Sequence, residues 1–486
     1  MVLSGINPKE VFYYFEEICA IPHGSGNTKA LAEYCLAFAK EKGLRACQDK
    51  AGNVMIFAEA TEGYEDSEPV ILQGHMDMVC DKTADCPLDM EKEGLVLQTD
   101  GKYVWAEGTT LGGDDGIAVA YILALLASKE IPHPPIEALL TADEETTMSG
   151  AEELEEQFLR GKRLINLDSE EEGVLTVSCA GGVSAHSTLP LVFEEVNVEE
   201  YDKIEGYEIS ISDLQGGHSG SEIHKPRANA ILLLAGMLKE LKKDWDFALT
   251  AFAGGSKENA IPKEAGALLC VSSEDAEDFE EAVLQYADRL TIELEEAEPE
   301  LCVTVAQMLT PVCHMDKKST DAVLGFLTDI PNGVDSMSQD IEGLVQTSSN
   351  LGIILTGEDG FHASVLIRSS VTKEKEELKN KISHVAKLYG GSTEFEADYP
   401  AWEYAEESPL REKMAEVYEE MYGEKMKVEA VHAGLECGFL AGKIPGIDMV
   451  SFGPNLEGVH TPDEKMEIAS VERCWKYLLK VLENLK

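Results

Sequence analysis

The sequence predicts an α/β protein in which a mixed sheet covered by helices is interrupted by an inserted α+β domain. Three observations support this fold class. Strand patterns alternate with helix patterns at the start of the chain, the alternation returns near its end, and the middle carries strand runs, several of them followed by helices. We therefore assign residues 1–180 and 396–486 to one discontinuous domain and residues 181–395 to the insertion. The length of 486 residues suits two domains.

The elements of the first part follow from hydrophobic period and from chain-breaking residues. Apolar positions at the helix period, closed by Gly43, predict a helix over 28–44. An apolar stretch that ends before a proline predicts a second helix over 116–130. Short apolar runs predict strands at 53–60, 69–75, 135–144 and 163–170.

The end of the chain predicts one strand and one long helix. Residues 447–455 read as a strand followed by a loop. Residues 461–485 have the helix period and begin with Thr461, which suits a cap, and Pro462, which suits a first turn. In the insertion, two blocks around 207–243 and 361–390 each pair a strand with a helix, and this layout suggests a duplication without a clear sequence repeat.

Composition excludes several classes of partner. Lysine and arginine number 40 against 91 acidic residues, a formal charge of −51, so nucleic acid and anionic membranes are poor partners. No run of 18 apolar residues predicts a membrane-spanning helix. The first residues lack the basic and apolar regions of a signal peptide, and the 11 cysteines contain no CxxC pair. These features predict a cytoplasmic protein with reduced thiols.

Acidic residues and histidines follow directly on the apolar parts of the predicted strands, which end at residues 74, 142 and 167. In an α/β sheet, ligands bind beyond the carboxyl ends of the strands, so these side chains are expected to converge. They are His75 and Asp77; Asp114 and Asp115 in a glycine-rich loop; Asp143, Glu144 and Glu145; Asp168; and His460.

Taken one at a time, each of these groups has a simpler interpretation. His75 with Asp77 would be a buried imidazole bonded to a carboxylate, and Asp115 would cap a helix. Residues 143–145 would be a solvated acidic patch, and His460 an ordinary loop histidine. Together they are not explained this way, because several carboxylates placed after buried strands are untenable without a cation.

The residue types favour a pair of metal ions. Imidazoles and carboxylates without cysteine are ligands for zinc or a similar divalent ion. Five such groups suit two ions that share one carboxylate. Asp77 is placed to accept the second ring N–H of His75. Glu144 and Glu145 are adjacent, so that one can bind metal while the other takes a proton.

Several motifs resemble those of a known family. They are LQGHMDMV, GTTLGGDDGIAVA, LLTADEETTMSGA, INLDSEEEG, GGHSGSEIH, GGSKENAIPKE, TSSNLGI, VHAGLECG and DMVSFGPNLEGVHTPDE. With them the chain resembles the aminoacyl-histidine dipeptidases (Xaa-His dipeptidase, peptidase D) of the co-catalytic dizinc exopeptidases, over nearly its whole length. The resemblance implies a dizinc-exopeptidase catalytic domain at 1–180 and 396–486 and a lid domain at 181–395.

The resemblance also implies roles for individual residues. Asp114 bridges two Zn²⁺ ions, with Co²⁺ or Mn²⁺ as other possibilities, and a cis peptide joins it to Asp115. Glu144 is the general base, and Asp77 orients His75. The metal ligands implied by the resemblance are His75, Asp114, Glu145, Asp168 and His460.

Four further residues are expected to act on the substrate. By resemblance, His218 stabilises the tetrahedral intermediate, while Asn259 and Arg368 bind the free carboxylate of the peptide. Arginine offers a two-pronged donor for a carboxylate, and histidine can donate to an oxyanion. The simpler alternatives are a loop histidine at 218 and a surface ion pair at Arg368. Glu436 is expected near the substrate.

The function expected from the resemblance is zinc-dependent hydrolysis of dipeptides, preferentially Xaa-His, by a metal-activated water with Glu144 as base. The expected partner is a small peptide, and the resemblance leaves open whether the chain forms a homodimer and whether His218 acts within its own chain. Alternatives are a broader dipeptidase or tripeptidase, an N-acyl amino acid deacylase, and a non-catalytic binding module on the same fold.

Overall fold

A computed structural model describes residues 2–197 and 201–486. Met1 and residues 198–200, which fall inside the predicted catalytic and lid domains, lie outside the described residues. The chain divides into two compact units. The first comprises Met1–Cys179, Tyr404–Ala430 and Leu435–Lys486, and the second comprises Ala180–Glu403 and Val431–Gly434. The function of the second unit as a lid stays a prediction.

The first unit is built on a mixed sheet, as the sequence predicts. Its strands lie, from one edge to the other, in the order Arg45–Gln48, Val54–Ala58, Ile136–Thr141, Val70–His75, Arg163–Asn166, Asp448–Ser451, Val174–Cys179 and Lys427–Val431. The strand Val70–His75 runs parallel to both of its neighbours, and Asp448–Ser451 runs parallel to Arg163–Asn166. The carboxyl ends of these parallel strands therefore lie along the same edge of the sheet.

Helices and a small second sheet complete the first unit. The helices are Lys9–Cys19, Lys29–Lys42, Gly113–Ala127, Glu144–Thr147, Ser149–Glu152, Pro409–Tyr422, Glu436–Lys443 and Ile468–Asn484, with a short 3-10 turn at Glu156–Phe158. The helix Gly113–Ala127 is apolar on all sides because it is buried between the strand Val70–His75 and the helix Lys9–Cys19. The small sheet has the strand order Leu456–Glu457, Lys465–Glu467, Tyr103–Ala106 and Leu97–Thr99.

The predicted start of the C-terminal helix is wrong. The helix begins at Ile468, and Thr461 does not cap it; the Thr461 hydroxyl donates to the carbonyl of Gly458 instead. The intervening strand Lys465–Glu467 pairs with Tyr103–Ala106. Local capping signals are weak preferences, and here hydrogen bonds to distant parts of the chain override them.

Glu464 directly precedes the strand Lys465–Glu467, and it anchors the glycine-rich loop before Asp114. Its carboxylate is buried and accepts hydrogen bonds from the backbone N–H groups of Leu111, Gly112 and Gly113, at 2.7, 3.1 and 2.8 Å. Three charge-assisted bonds to consecutive backbone donors fix the path of the loop. Glu464 therefore determines where the chain enters the helix Gly113–Ala127.

The second unit is an α+β structure built on an antiparallel sheet. The strands lie in the order Cys302–Met308, Ile204–Ser212, Ala265–Ser272, Phe247–Gly254, Val345–Thr356, Phe361–Ser369, Gly181–Leu189 and Ser392–Tyr399, with Gly333–Met337 also paired to Val345–Thr356. Two short pairs are Phe193–Glu195 with Cys313–Met315 and Gly217–His218 with Ala260–Ile261. The helices are Ala230–Leu241, Ala276–Glu293, Lys317–Asp329 and Thr372–Leu388, with a 3-10 turn at Tyr201–Lys203.

Apolar side chains from the sheet and the helices of the second unit form one buried core, which includes Ile209, Leu234, Phe279, Phe326 and Val365. The two strand–helix blocks expected around 207–243 and 361–390 are present. Their duplication stays a prediction.

Within residues 2–197 and 201–486, no helix has both the length and the apolar character that a membrane crossing requires.

Replacing Glu464 with glutamine should loosen the glycine-rich loop. A glutamine amide group would face a backbone donor and leave it unsatisfied, which costs about 2–3 kcal/mol of stability. Hydrogen-exchange mass spectrometry should show faster exchange at residues 111–113, together with a lower thermal unfolding midpoint. The exposed neighbour Asp463 provides the control substitution Asp463→Asn, and equal exchange in both variants would contradict the anchoring role.

Candidate metal centre

His75 stands at the end of a buried strand with its two ring nitrogens in different surroundings. Nδ1 lies 3.0 Å from the backbone carbonyl of Asp77 and donates to it, with the Asp77 carboxylate 3.5 Å away. Nε2 faces carboxylates, 2.9 Å from Asp114 Oδ1 and 3.6 Å from Asp168 Oδ1. Burial alone would lower the pKa of His75, but Asp168 and Asp114 raise it well above its ordinary value. This imidazole is oriented for a cation.

Asp77 contacts the segment that carries Glu144 and Glu145, while its expected role in orienting His75 stays a prediction. Its carboxylate accepts hydrogen bonds from the Ser25 hydroxyl at 2.7 Å and from the backbone N–H groups of Glu144 and Glu145 at 2.9 and 3.2 Å. Burial would raise the pKa of Asp77, but bonds from His75 and Ser25 hold it below its ordinary value. An ionised Asp77 therefore fixes the start of the short helix Glu144–Thr147.

Asp114 lies between the two histidines. Its Oδ1 is 2.9 Å from His75 Nε2, and its Oδ2 is 3.2 Å from His460 Nε2. Burial would raise the pKa of Asp114, but the bonds from His460 and His75 lower it. The peptide bond between Asp114 and Asp115 is cis, as the resemblance implies. One carboxylate thus offers a separate oxygen to each imidazole.

His460 reaches the same cluster from the far end of the sequence. Its Nε2 is 3.0 Å from Glu145 Oε1, and its backbone is left-handed with φ of 65°. The bonds to Asp114 and Glu145 raise its pKa to about 10. A histidine in this uncommon backbone region is a feature found at functional sites.

Asp115 takes a position that the sequence does not reveal. Its Oδ2 accepts the backbone N–H of His75 at 3.1 Å, so it does not cap the helix. A side chain on Gly74 would come within 2.6 Å of that oxygen, which explains the glycine in LQGHMD. Burial and the charge of Asp168 raise the pKa of Asp115 well above its ordinary value.

Negative charge at the cluster is in excess. Burial raises the pKa of Asp168 to about 7 and that of Glu144 well above its ordinary value. Glu170 is exposed, yet desolvation and the charges of Asp114 and Asp168 raise its pKa to about 7. Within the described part of the chain, the ion pairs of the cluster carboxylates run to the two histidines. A buried group of this charge needs a further cation.

The donor set fits divalent metal ions. Among the described residues, two groups bring ligand atoms within 4.8 Å of one another: His75 with Asp114 and Glu145, and His75 with Asp115 and Asp168. Imidazole nitrogen with carboxylate oxygen is the ligand combination of catalytic zinc sites. Asp115 is the member of these groups that the sequence does not single out as a ligand.

Sequence reasoning misses three residues that bond to this cluster or carry charge beside it. Ser25, Glu170 and Glu464 belong to no ligand pattern, because each acts through a backbone group, a hydroxyl or a neighbouring charge. The one visible signal is the polar loop HGSGN, where a serine lies between glycines.

In the second unit, His218 is held as a hydrogen-bond donor. Its Nδ1 accepts the backbone N–H groups of Gly220 and Ser221, both at 3.2 Å, so Nε2 carries the proton. Burial and the charge of Arg368 lower the pKa of His218. This neutral tautomer suits donation to a developing negative charge.

Asn259 is held close to His218 by the backbone. Its carbonyl accepts the N–H of Ser219 at 2.9 Å. The Asn350 side-chain amide donates to the carbonyls on either side of it, Glu258 at 2.8 Å and Ala260 at 2.9 Å. The loop that carries Asn259 is therefore clamped in place.

Arg368 is buried and so is not a surface ion-pair partner. Its Nη1 donates to the Tyr399 hydroxyl at 3.1 Å. Among the described residues of this unit, the buried polar atoms without a hydrogen-bond partner are Arg368 Nε, His432 Nδ1, Ser219 Oγ, Thr250 Oγ1 and Asn350 Oδ1. A buried guanidinium with an unpaired N–H is suited to an anionic ligand.

Glu436, the first residue of the helix Glu436–Lys443, is fully buried in the first unit. Its Oε2 accepts from the Gln73 amide at 2.7 Å and from the Thr141 hydroxyl at 2.6 Å. Its expected place near the substrate stays a prediction.

Comparison with known proteins agrees with these features. The chain is 37% identical over 483 residues to the cytosol non-specific dipeptidase of Escherichia coli K12, which covers 99% of both chains. It matches the crystal structure of aminoacylhistidine dipeptidase from Vibrio alginolyticus with a TM-score of 0.93 and 37% identity, covering 100% of this chain and 98% of the other. These matches confirm the resemblance inferred from the motifs.

A more distant match concerns the fold alone. A tripeptidase from Staphylococcus aureus matches with a TM-score of 0.56 and 16% identity over 99% of each chain.

Residues 71–484, which include every proposed metal ligand, match the description "Peptidase family M20/M25/M40". Because this match spans most of the sequence, the chain belongs to peptidase family M20/M25/M40.

Proposed function

We propose that this chain is a metal-dependent dipeptidase that cleaves Xaa-His dipeptides preferentially. One observation carries the metal-dependent part of the proposal: Asp114 turns one carboxylate oxygen toward His75 and the other toward His460, with Asp168 and Glu145 beside them. This is the arrangement expected of two metal sites that share a carboxylate. The names of the E. coli and Vibrio relatives support dipeptides as substrates.

Each proposed ion has ligands of its own. His75 and Asp168 would hold one ion, Glu145 and His460 the other, and Asp114 both. We propose Zn²⁺ at both positions, with Co²⁺ or Mn²⁺ as substitutes, because imidazole and carboxylate donors accept all three. When bound, such ions supply positive charge and Lewis acidity to the peptide carbonyl.

Glu144 is the proposed general base. Burial raises its pKa well above its ordinary value, which brings the carboxylate closer to the basicity that proton transfer near neutral pH requires. Its backbone is fixed by Asp77, so its side chain starts from a defined point. Glu144 would take a proton from the attacking water and return it to the leaving amine.

The residues of the second unit supply the proposed contacts to substrate. His218 Nε2–H would donate to the oxyanion, because Nδ1 is already occupied as an acceptor. The buried Arg368, together with Asn259, would bind the free carboxylate of the dipeptide. A requirement for that carboxylate would restrict cleavage to the peptide bond next to the C-terminus.

Specificity is the finer part of the proposal. The Vibrio relative is named for histidine-containing dipeptides and the E. coli relative is named non-specific, so a broader dipeptidase is the second candidate. We extend the proposal to a cytoplasmic location, because the E. coli relative is a cytosol enzyme. A homodimer is compatible with the proposal but not required by it.

Removing the base should abolish turnover and spare the metal. Glu144→Gln keeps the shape of the side chain but cannot accept the proton, so kcat should fall by about 10²–10⁴-fold. Metal content by mass spectrometry should match the wild type. The exposed Glu153 provides the control substitution Glu153→Gln. Full activity in the Glu144 variant would contradict the proposed base.

Preference for a second-position histidine should appear as a ratio of specificity constants. With the amino-terminal residue matched, kcat/KM for Ala-His should exceed that for Ala-Ala by at least about tenfold, or ~1.4 kcal/mol of transition-state binding. Faster cleavage of Ala-Ala would favour the broader dipeptidase, and cleavage of N-acetyl-Ala alone would favour a deacylase.

Chelation should remove activity, and Zn²⁺ should restore it. The wild type should bind two ions per chain, whereas His460→Ala should bind only one tightly, because the second site loses one of its three proposed protein ligands. Inductively coupled plasma mass spectrometry on the desalted proteins would count the ions. His384, an exposed histidine, supplies the control His384→Ala. Two tightly bound ions in the His460 variant would contradict its assignment.

A further inference from the structure

Glu436 is a buried carboxyl group that the proposed chemistry does not use. Its side chain has 0% exposure, and burial raises its pKa to about 8. Oε2 accepts two hydrogen bonds, from Gln73 Nε2 and Thr141 Oγ1, while Oε1 is buried without a partner in the described residues. Burying a carboxyl group lowers the stability of the fold unless hydrogen bonds or charges compensate for the lost hydration.

The two hydrogen-bond partners of Glu436, Gln73 and Thr141, lie shortly before proposed site residues in the sequence. Gln73 is two residues before His75 on the strand Val70–His75, and alternate strand residues share a face. Thr141 ends the strand that leads to Glu144 and Glu145.

The network continues to a third strand. Gln73 Oε1 accepts from Asn166 Nδ2 at 2.6 Å, and Gln73 pairs with Asn166 in the parallel register. Asn166 ends its strand two residues before Asp168, whose N–H lies 3.4 Å from Asn166 Oδ1. The side chains of Thr141, Gln73, Asn166 and Glu436 are all buried. Together these four residues form a polar layer beneath the cluster.

Only Glu436 comes to this layer from outside the three strands. Its Oε2 accepts from both Gln73 and Thr141, and Gln73 Nε2 also donates directly to Thr141 Oγ1 at 3.2 Å. Gln73 continues the network to Asn166. Losing one member of such a network leaves buried donors unpaired, so each member constrains the others.

We propose that Glu436 is a positioning residue of the metal centre, whose hydrogen bonds through Gln73, Thr141 and Asn166 hold three strand ends in register for the ligands. This rests on the proposed function, since it assumes that the cluster binds metal. It is an alternative to the substrate contact expected from the sequence, which stays a prediction.

The role requires a hydrogen-bond acceptor but no charge. A glutamine at 436 can place its carbonyl oxygen where Oε2 lies and its amide where the unpartnered Oε1 lies, so Glu436→Gln should retain both bonds. Glu436→Leu removes them. Mutations of residues that support metal ligands commonly weaken metal binding by about 10–100-fold.

The experiment compares Zn²⁺ affinity by chelator competition in the full-length chain. Glu436→Leu should weaken affinity by about 10–100-fold, and Glu436→Gln should stay within about threefold of the wild type. Thr141→Val, a nearly isosteric change, should weaken affinity in the same direction and keeps the test available if the leucine variant does not fold. The exposed Glu419 supplies the control Glu419→Gln.

The outcomes separate the alternatives. The role is supported when metal affinity falls with leucine and valine and recovers with glutamine, with KM unchanged at saturating metal. A rise in KM with both Glu436 variants at unchanged metal affinity would show a substrate contact and overturn it. A lower unfolding midpoint of the metal-free protein with unchanged affinity would show a structural role alone and also overturn it. If the wild type binds no metal, the proposed function itself fails.

Discussion

The concentration of negative charge around Asp114 is the constraint to which the rest of the first unit responds. Buried carboxylates repel one another, and burial raises the pKa of Asp115, Glu144 and Asp168. Two imidazoles alone face this charge in the described ion pairs. A fold would not retain such a group for stability, because apolar residues of the same size would be cheaper. The arrangement is intelligible as a receptor for positive charge.

The cluster is held in place mainly by hydrogen bonds to the backbone. Asp77 binds the N–H groups at the start of the helix Glu144–Thr147, and Glu464 binds three consecutive N–H groups before Asp114. Asp115 does the same for His75. Backbone donors cannot rotate away as side chains can, so each bond fixes the origin of a side chain at the proposed metal centre. Some acids of this centre therefore hold the chain, and others face the proposed ions.

The sequence predicts the strand ends well and the supporting contacts poorly. Val70–His75 and Ile136–Thr141 are recognisable because buried parallel strands are continuous apolar runs, and their polar ends stand out. Glu464 was hidden because a carboxylate bonded to distant backbone leaves no periodic pattern. Thr461 and Pro462 predict a helix start, but tertiary contacts place residues 465–467 in a strand, and the helix begins at Ile468. Which oxygen faces which partner depends on tertiary contacts that spacing does not encode.

The Asp77 carboxylate binds the backbone of both Glu144 and Glu145. Their backbone N–H groups share one carboxylate, so the two residues move together although their proposed tasks differ. A larger or smaller ion that shifted Glu145 would also shift Glu144. Ionic radius would then affect the reach of the proposed base, so that exchanging one of the proposed metals for another would alter proton transfer through geometry in addition to Lewis acidity.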